Sequence, residues 1–381
     1  MKHNKKNDVI IFDPAHQNYI KSYVLHDIDC CVYDPKKDIK FKYILLSLLC
    51  FPKIIINNFY ILREVNFINF LKIIKLYFLS NAIAINILRL KPKVVLTYID
   101  NSPIFHIVSR ICKSIPFLGI QNGNRASYAF TEELIHPSHK YHIDEYFCIS
   151  SKTKDLFSKY NQNDVGKYFF CGSLKEGIFF EKNYNEIISR KKKYDICILS
   201  EWLPDDHPMY KTTSWKNHKI SFIRNCLFLS KFVEENNLSI SVALRSSKKN
   251  EENFYKEYFQ NKATFYHQSK DGFSSYNAST FSNVTIALSS FIASELIGAG
   301  LKLLYINPFG DINFAITKKD CDWYLSEPSY VHFSEKLSLL LSQKRSIFAL
   351  NNSKDTSYIN AFEHDMPMHK LLRERILSKI G

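Results

Sequence analysis

The chain has 381 residues, 46% of them hydrophobic, and a formal net charge of +14, which describes a folded protein long enough for two domains. Its nine cysteines are odd in number, have no C-x-x-C spacing and lie mostly in apolar runs. This excludes a disulfide scaffold and predicts reduced, buried thiols in a cytoplasmic protein. The lysines are dispersed along the chain, as is typical of a solvated surface, so we expect no nucleic-acid partner.

The first half of the chain alternates short apolar runs with helical patterns. The predicted strands cover residues 8–12, 30–33, 53–56, 93–99, 115–120, 146–149 and 168–171. Predicted helices cover residues 67–90, about 103–112, and from Ser150 or Ser151 to about 160. The alternation of strand and helix predicts a parallel sheet that is covered on both faces.

Residues 67–90 carry the longest helical pattern, which contains Lys72, Lys75, Asn81 and Arg89. These polar side chains favour an amphipathic helix over a membrane span, and no other apolar stretch reaches spanning length. We expect this helix to pack against the sheet, with contact between Lys72, Lys75 and a membrane surface as the alternative.

Charge accumulates and the periodicity weakens after residue 175, so we place a linker at residues 177–194. A second strand–helix series follows, with strands at residues 195–199, 239–244, 264–267, 284–288 and 302–306. The sequence therefore predicts an α/β protein with two Rossmann-like doubly wound domains, residues 1–176 and 195–360, facing a cleft. Residues 361–381 are expected to form a C-terminal helix that packs back on the N-terminal domain.

The stretch IALSSFIASELIGAG, residues 286–300, reads as a strand, a tight turn and the start of a helix. Ser290 is a favoured N-cap type and Ser289 adds a second hydroxyl, at the positive end of the helix dipole where a phosphate binds well. Glu295 lies in an otherwise apolar helix, so its carboxylate needs a partner, and a ribose diol would serve. The alternative is a capped helix with a solvated glutamate.

Asp100 directly follows a strand, and the strand ends of an open α/β sheet are where ligands bind. A carboxylate at this place is a candidate base or nucleophile, and Asn101 beside it is a candidate sugar ligand. The alternative is that Asp100 caps the helix that opens at Pro103, a role that Ser102 fills equally well.

Polar residues also follow the next strand, where Gln121 and Asn122 supply amides that can read sugar hydroxyls and Gly123 permits close backbone approach. Arg125 follows and is a candidate partner for a carboxylate or phosphate. An ordinary tight turn is the alternative for this segment.

Arg245 ends a predicted strand of the second domain and is a candidate phosphate ligand, with a surface ion pair as the alternative. His136 precedes a proline in IHPSHKYH and is a candidate substrate-loop residue, whereas its neighbouring histidines lack the cysteines or carboxylates that complete a zinc site. We expect no metal site, and the chain contains no Walker A, G-x-G-x-x-G or G-x-S-x-G motif.

Two segments resemble a known family. TYIDNSPIFHIVSR followed by GIQNGNR is similar to bacterial surface carbohydrate biosynthesis proteins. VTIALSSFIASELIGAG resembles the second-domain donor site of GT-B glycosyltransferases, and the serine motif of the capsule and O-antigen Kdo and sialic-acid transferases that use CMP-activated sugars. The likeness covers roughly residues 90–310. It implies that Ser289, Ser290 and Glu295 hold a nucleotide, and that Asp100 is the acidic residue near the sugar.

The resemblance implies a metal-independent GT-B glycosyltransferase for a surface polysaccharide such as capsule or the O-antigen of lipopolysaccharide. The donor would be a nucleotide sugar, CMP-Kdo for example, and the acceptor an oligosaccharide or a lipid-linked sugar, with no other cofactor. The expected location is the cytoplasm, with peripheral contact at the cytoplasmic face of the inner membrane. The alternatives are a nucleotide-sugar epimerase of related fold and a non-catalytic sugar-binding assembly subunit.

Overall fold

The computed structural model describes residues 7–123, 141–160, 164–246, 248–311, 314–317 and 321–381. The chain divides into two compact units, which we call the first and the second unit. The first unit comprises Met1–Lys175 and Asp365–Gly381, and the second comprises Glu176–His364. Each unit contains one six-stranded parallel sheet with helices around it, so the predicted α/β class with two doubly wound domains is confirmed.

The sheet of the first unit has the order β2-β1-β3-β4-β5-β6, and every pair of neighbours is parallel. Its central strands are short, mostly apolar runs that are buried on both faces, as parallel sheets require. The strands are β1 (Val9–Phe12), β2 (Cys30–Tyr33), β3 (Val94–Thr97), β4 (Phe117–Ile120), β5 (His142–Cys148) and β6 (Asp164–Phe170). The helices are α1 (Phe41–Leu48), α2 (Phe51–Asn58), α3 (Phe67–Leu90), α4 (Pro103–Ile111) and α5 (Ser151–Lys159).

The sheet of the second unit has the order β12-β11-β10-β7-β8-β9, again with parallel neighbours throughout. Its strands are β7 (Tyr194–Leu199), β8 (Ile240–Ala243), β9 (Ala263–Tyr266), β10 (Ser282–Ala287), β11 (Leu303–Asn307) and β12 (Tyr324–Ser326). Its helices are α6 (Leu174–Ser189), α7 (Thr213–Glu235), α8 (Lys249–Phe259), α9 (Ser274–Thr280), α10 (Phe291–Gly298), α11 (Tyr330–Ser342) and α12 (Arg345–Ile359).

The chain ends in helix α13 (Met368–Ile380), which belongs to the first unit. Met368, Leu372 and Ile376 recur at helical spacing and are fully buried there. On β5, the carboxylate of Glu145 receives Lys379 Nζ at 2.8 Å and the guanidinium of Arg375. Burial would raise the pKa of Glu145, but these two cations lower it below its usual value.

Two segments differ from the sequence-based prediction. Residues 53–56, predicted as a strand, lie within helix α2, because a four-residue apolar run fits either structure and Pro52 suits the first turn of a helix. The segment 177–194, predicted as a linker, is mostly helix α6. Its charged residues weaken the apolar periodicity without preventing the helix.

Within the described part of the chain, helix α3 could cross a bilayer by length and hydropathy alone, and so could the bent pair Phe41–Leu48 with Phe51–Arg63 if it formed one span. The most apolar window of α3 is 44% buried inside the protein. Its C-terminal half packs into the main core of the first unit, so burial accounts for much of its apolar character.

Candidate functional site

The second unit has a reversal of strand order between β7 and β10, the place where open α/β sheets bind ligands. From β7 the chain moves to β8 and β9 on one side, and from β10 it moves to β11 and β12 on the other. Ser200 and Glu201 follow β7, whereas Leu288, Ser289 and Ser290 follow β10. These two loops therefore form the candidate site of this unit.

Glu201 joins the two loops. Its Oε1 accepts three hydrogen bonds from consecutive backbone N–H groups, those of Leu288 at 2.8 Å, Ser289 at 2.7 Å and Ser290 at 2.9 Å. Its Oε2 accepts from the Ser289 hydroxyl and from Nε2 of His218 on α7, the latter at 2.8 Å. One buried carboxylate thus fixes the turn of residues 288–290, which we call the serine turn.

Burial of Glu201 would raise its pKa, because a charge is poorly solvated inside a protein. The hydrogen bond and charge of His218, and the bonds from Ser289, outweigh that effect and lower the pKa to about 2. Glu201 is therefore an anion at neutral pH. His218 is itself held between Trp215 and Phe314, with ring centroids at 4.9 and 5.2 Å.

Ser290 is the N-cap residue of α10, but its hydroxyl makes no capping hydrogen bond. The residue is half-buried, and Ala293 N bonds to its carbonyl oxygen at 3.1 Å. The hydroxyl therefore stands at the positive end of an eight-residue helix, where an anion is favoured. The hydroxyl of Ser289, by contrast, donates a hydrogen bond to Glu201.

Glu295 lies one turn further along α10 and is only 2% exposed, which excludes the alternative of a solvated glutamate. Its Oε2 accepts a hydrogen bond from the hydroxyl of Tyr276 on α9. A ribose diol bound at Glu295 would have to share the carboxylate with this tyrosine.

Arg245 follows β8, two strand positions from β10, and its side chain is exposed. Its backbone N–H donates to the buried carboxylate of Glu251 at 2.6 Å, and Ser246 donates its N–H to the same carboxylate at 2.8 Å. Glu251 thus braces the loop that carries Arg245, much as Glu201 braces the serine turn.

The first unit reverses its strand order between β1 and β3. The loop after β1 contains Asp13 and His16, two non-glycine residues with φ of 82° and 56°. Backbone strain of this kind concentrates at functional sites. The His16 ring lies 4.6 Å from that of Tyr98, which follows β3, so this ring pair bridges the two loops.

His16 keeps an exposed side chain although it packs on Tyr98. Partial desolvation of the ring and the positive charge of Lys175 lower the pKa of His16 below its ordinary value of 6.5. The imidazole is therefore neutral at physiological pH and able to accept a proton.

Asp100 lies after β3 and is fully buried rather than emerging at an open edge. Its Oδ2 accepts from the Tyr146 hydroxyl, and its Oδ1 accepts from the backbone N–H of Asn122 at 3.2 Å. Its carbonyl oxygen lies 2.7 Å from Nε2 of His106, whose pKa burial lowers to about 4. The carboxylate holds the end of β4, and Asn101 beside it is half-buried.

Gln121 is also engaged within the protein. Its Oε1 accepts from the Ile149 N–H at 3.0 Å and the Thr153 hydroxyl at 2.9 Å, and its Nε2 donates to the carbonyl of Gly123 at 2.8 Å. Asn122 and Gly123 remain half-buried at the strand end. Arg125 and His136 lie outside the described residues.

Among the residues that the structure describes, no cluster of three or more possible metal ligands occurs. The sequence has two D-x-D spacings, at residues 27–29 and 320–322, a pattern that can bind a metal ion. One aspartate of each is next to a basic side chain: Asp27 pairs with Arg373 at 2.7 Å, and Asp322 lies 3.6 Å from Lys336.

Sequence reasoning missed Glu201, His218 and His16. The signal for Glu201 and His16 was their place just after a predicted strand, in ILSE and in IFDPAH. His218 lies inside a helix and becomes visible only once α7 packs beside the serine turn.

A comparison with protein-family models matches residues 118–333, more than half of the chain, to Lept_O_ant_chp1, described as "putative O-antigen biosynthesis protein". A search of curated proteins finds no match.

Solved structures with a similar fold cover nearly the whole chain at low sequence identity. A glycosyltransferase from Rickettsia africae ESF-5 has a TM-score of 0.50 at 12% identity, covering 98% of each chain. A UDP-N-acetylglucosamine 2-epimerase from Rickettsia bellii has a TM-score of 0.54 at 13% identity, covering 98% of this chain and 95% of its own. The UDP-GlcNAc 2-epimerase of Neisseria meningitidis, solved with UDP-GlcNAc bound, has a TM-score of 0.52 at 9% identity and 98% coverage of both. At this level of identity the likeness establishes the fold.

Proposed function

Because this chain belongs to the family of O-antigen biosynthesis proteins, we propose that it is a glycosyltransferase. It moves a sugar from a nucleotide-sugar donor to an oligosaccharide or lipid-linked acceptor of a surface polysaccharide. The fold it shares with glycosyltransferases and with epimerases that act on UDP-GlcNAc supports a nucleotide sugar as the ligand.

The observation that carries the proposal is the braced serine turn of the second unit. Glu201 accepts hydrogen bonds from the N–H groups of residues 288–290, and these bonds preorganise the turn. The Ser290 hydroxyl is thereby held at the first turn of α10. The donor phosphate binds at this hydroxyl and helix end, and Arg245 adds a positive charge. Negative charge that develops on the leaving nucleotide is then stabilised by groups that are already in place.

Ser289 and Glu295 have different parts in this arrangement. Ser289 locks Glu201, and Glu295 orders the ribose side of the nucleotide together with Tyr276. The helix end, hydroxyls and arginine supply the stabilisation for which other transferases use a metal ion, so we expect metal-independent transfer.

The acceptor site lies at the strand ends of the first unit. His16, neutral and exposed, takes the proton of the acceptor hydroxyl. Asp100 acts through Asn122 and Tyr146, which it holds in place, and Asn101, Arg125 and His136 are the proposed sugar contacts.

The protein works in the cytoplasm, because its nine free cysteines are typical of a reducing compartment. Its donor is a nucleotide sugar, such as a CMP- or UDP-linked one. CMP-Kdo is one donor of this kind.

The test is transfer with labelled UDP-, CMP-, GDP- and TDP-sugars, with and without lipid extract from cells that make the polysaccharide. We expect label to enter the lipid fraction only when extract is present, and to do so in EDTA. Conversion of the donor sugar to its epimer without acceptor would establish an epimerase instead. Nucleotide-sugar binding with no turnover under either condition would establish a non-catalytic binding subunit.

A further inference from the structure

The first unit exposes a dense group of large apolar side chains. Twelve of the 25 exposed large hydrophobic residues in the described part of the chain fall within residues 41–71. Leu49, Ile56, Phe41 and Ile68 are 80, 73, 72 and 67% exposed. The other eight are Leu45, Leu46, Leu48, Phe51, Phe59, Tyr60, Phe67 and Leu71. We call these twelve side chains the apolar face.

The same helices also bury apolar residues on their inner side. Ile54, Ile61, Phe70, Ile73 and Ile74 form a separate hydrophobic cluster beneath α2, the turn Phe59–Arg63 and α3. Core packing is therefore complete without the apolar face. Helical segments that are apolar on both sides fit a second apolar phase outside the protein.

Basic side chains surround the apolar face. Residues 40–75 contain six lysines and arginines against one acid, Glu64, a net charge of +5. All six are exposed: Lys40, Lys42, Lys53, Arg63, Lys72 and Lys75. A second copy of the chain would bring a charge of the same sign to the interface, whereas an anionic lipid surface complements it.

The fold favours helices that lie on a bilayer over helices that cross it. Helix α3 has the length and hydropathy of a span, but Ile83, Ala84 and Ile87 are fully buried in the main core of the first unit. Nearby, Nδ2 of buried Asn86 donates to the Tyr33 hydroxyl at 3.2 Å. A spanning α3 would have to abandon this core.

We propose that residues 41–71 form a monotopic membrane-binding surface. The apolar face enters the interface between headgroups and acyl chains, while the surrounding lysines and arginines contact anionic headgroups. Membrane binding by this surface does not depend on the proposed sugar transfer. If the acceptor is lipid-linked, the surface brings the protein to the bilayer that contains it.

The test is sedimentation of the full chain with vesicles, comparing pure phosphatidylcholine with vesicles that contain about 30% phosphatidylglycerol. The variant Leu49→Glu/Ile56→Glu places two carboxylates on the apolar face. Leu350→Glu, at a residue that is 75% exposed in the second unit, is the matched control. We expect the wild type and the control to bind the anionic vesicles, more weakly at high salt, and the double variant to bind at least about tenfold less.

Equal binding of the double variant, or a wild type that stays in solution with both vesicle types, would overturn the proposal. So would a dimer by light scattering that the double variant abolishes, since that result assigns the apolar face to a second copy. If the double variant does not fold, the triple variant Lys42→Gln/Lys53→Gln/Lys72→Gln provides the test. We expect this variant to lose the preference for vesicles with phosphatidylglycerol, and an unchanged preference would overturn the proposed membrane-binding surface.

Discussion

Glu201 illustrates how one side chain can organise a site made from two distant segments. Its carboxylate is 5% exposed and receives hydrogen bonds from the serine turn and from His218. An acid whose pKa is lowered on folding stabilises the folded state at pH values above its unfolded pKa, and that contribution is lost as the pH falls towards the folded pKa. For Glu201 the window runs from about 4.5 down to about 2.

We therefore predict that Glu201→Gln lowers the free energy of unfolding by about 3 kcal/mol at pH 7. The deficit relative to the wild type should shrink as the pH is lowered from about 5 towards 3, because in that range the unfolded wild-type chain binds a proton at Glu201 that the folded protein does not. Urea unfolding at a series of pH values measures this. Glu257→Gln, at an exposed glutamate of α8, should match the wild type throughout. A pH-independent deficit for Glu201→Gln would show that shape, not charge, braces the turn.

Variants of His16 and Asp100 can separate the contributions of the two residues to proton transfer. We expect His16→Gln to lower the transfer rate about 10²–10⁴-fold with nucleotide binding retained, because a general base contributes that much. In the wild type the rate should rise with pH through a pKa below 6.5, as His16 becomes neutral, and this limb should disappear in the variant.

Asp100→Asn should reduce transfer less than His16→Gln and leave the acidic limb of the pH profile in place, because Asp100 is fully buried and its carboxylate is bonded to Asn122 and Tyr146. Tyr146→Phe removes one of the same contacts and should give a loss of similar size. If Asp100→Asn instead abolishes the limb, Asp100 is the base and His16 is not.

Among the elements, the strands were predictable where short apolar runs coincide with buried positions, as in β1, β3 and β11. The serine turn was located from its strand–turn–helix pattern. The contribution of Glu201 could not be predicted, because it depends on β7 and β10 being neighbours in the sheet. That pairing joins residues almost 90 positions apart, and local sequence does not encode it.

Helix α2 gives a matched test of the inner and outer sides of the helical layer. Ile54 is buried in the cluster beneath it, whereas Ile56 is 73% exposed. We predict that Ile54→Ala destabilises the first unit by about 2–4 kcal/mol, by lost burial and a residual cavity. Ile56→Ala should change stability in solution by less than about 0.5 kcal/mol. Equal effects in urea unfolding would mean that α2 is not anchored through Ile54.

At the scale of the whole molecule, sequence order and structural units do not coincide, since residues 365–381 return to the first unit. Leu372 is fully buried on α13 and Leu377 on the same helix is 41% exposed. We predict that Leu372→Ala lowers the stability of the first unit by about 2–5 kcal/mol and that Leu377→Ala has little effect. Segment-resolved hydrogen exchange should show the loss in β1–β6. Loss confined to the second unit would contradict the assignment of α13.

Nucleotide binding by the serine turn can be measured by calorimetric titration. The full chain is titrated with UDP, CMP, GDP and TDP, and the tightest ligand is then titrated into Ser290→Ala and into Ser346→Ala, an exposed serine of α12. We predict that at least one nucleotide binds. Ser290→Ala should weaken that binding by about 1–2 kcal/mol, a factor of roughly 5–30, as expected for a lost hydrogen bond to a charged phosphate. Ser346→Ala should bind as the wild type does. Binding of none of the four nucleotides, or unchanged affinity in a folded Ser290→Ala protein, would show that the serine turn is not a nucleotide site.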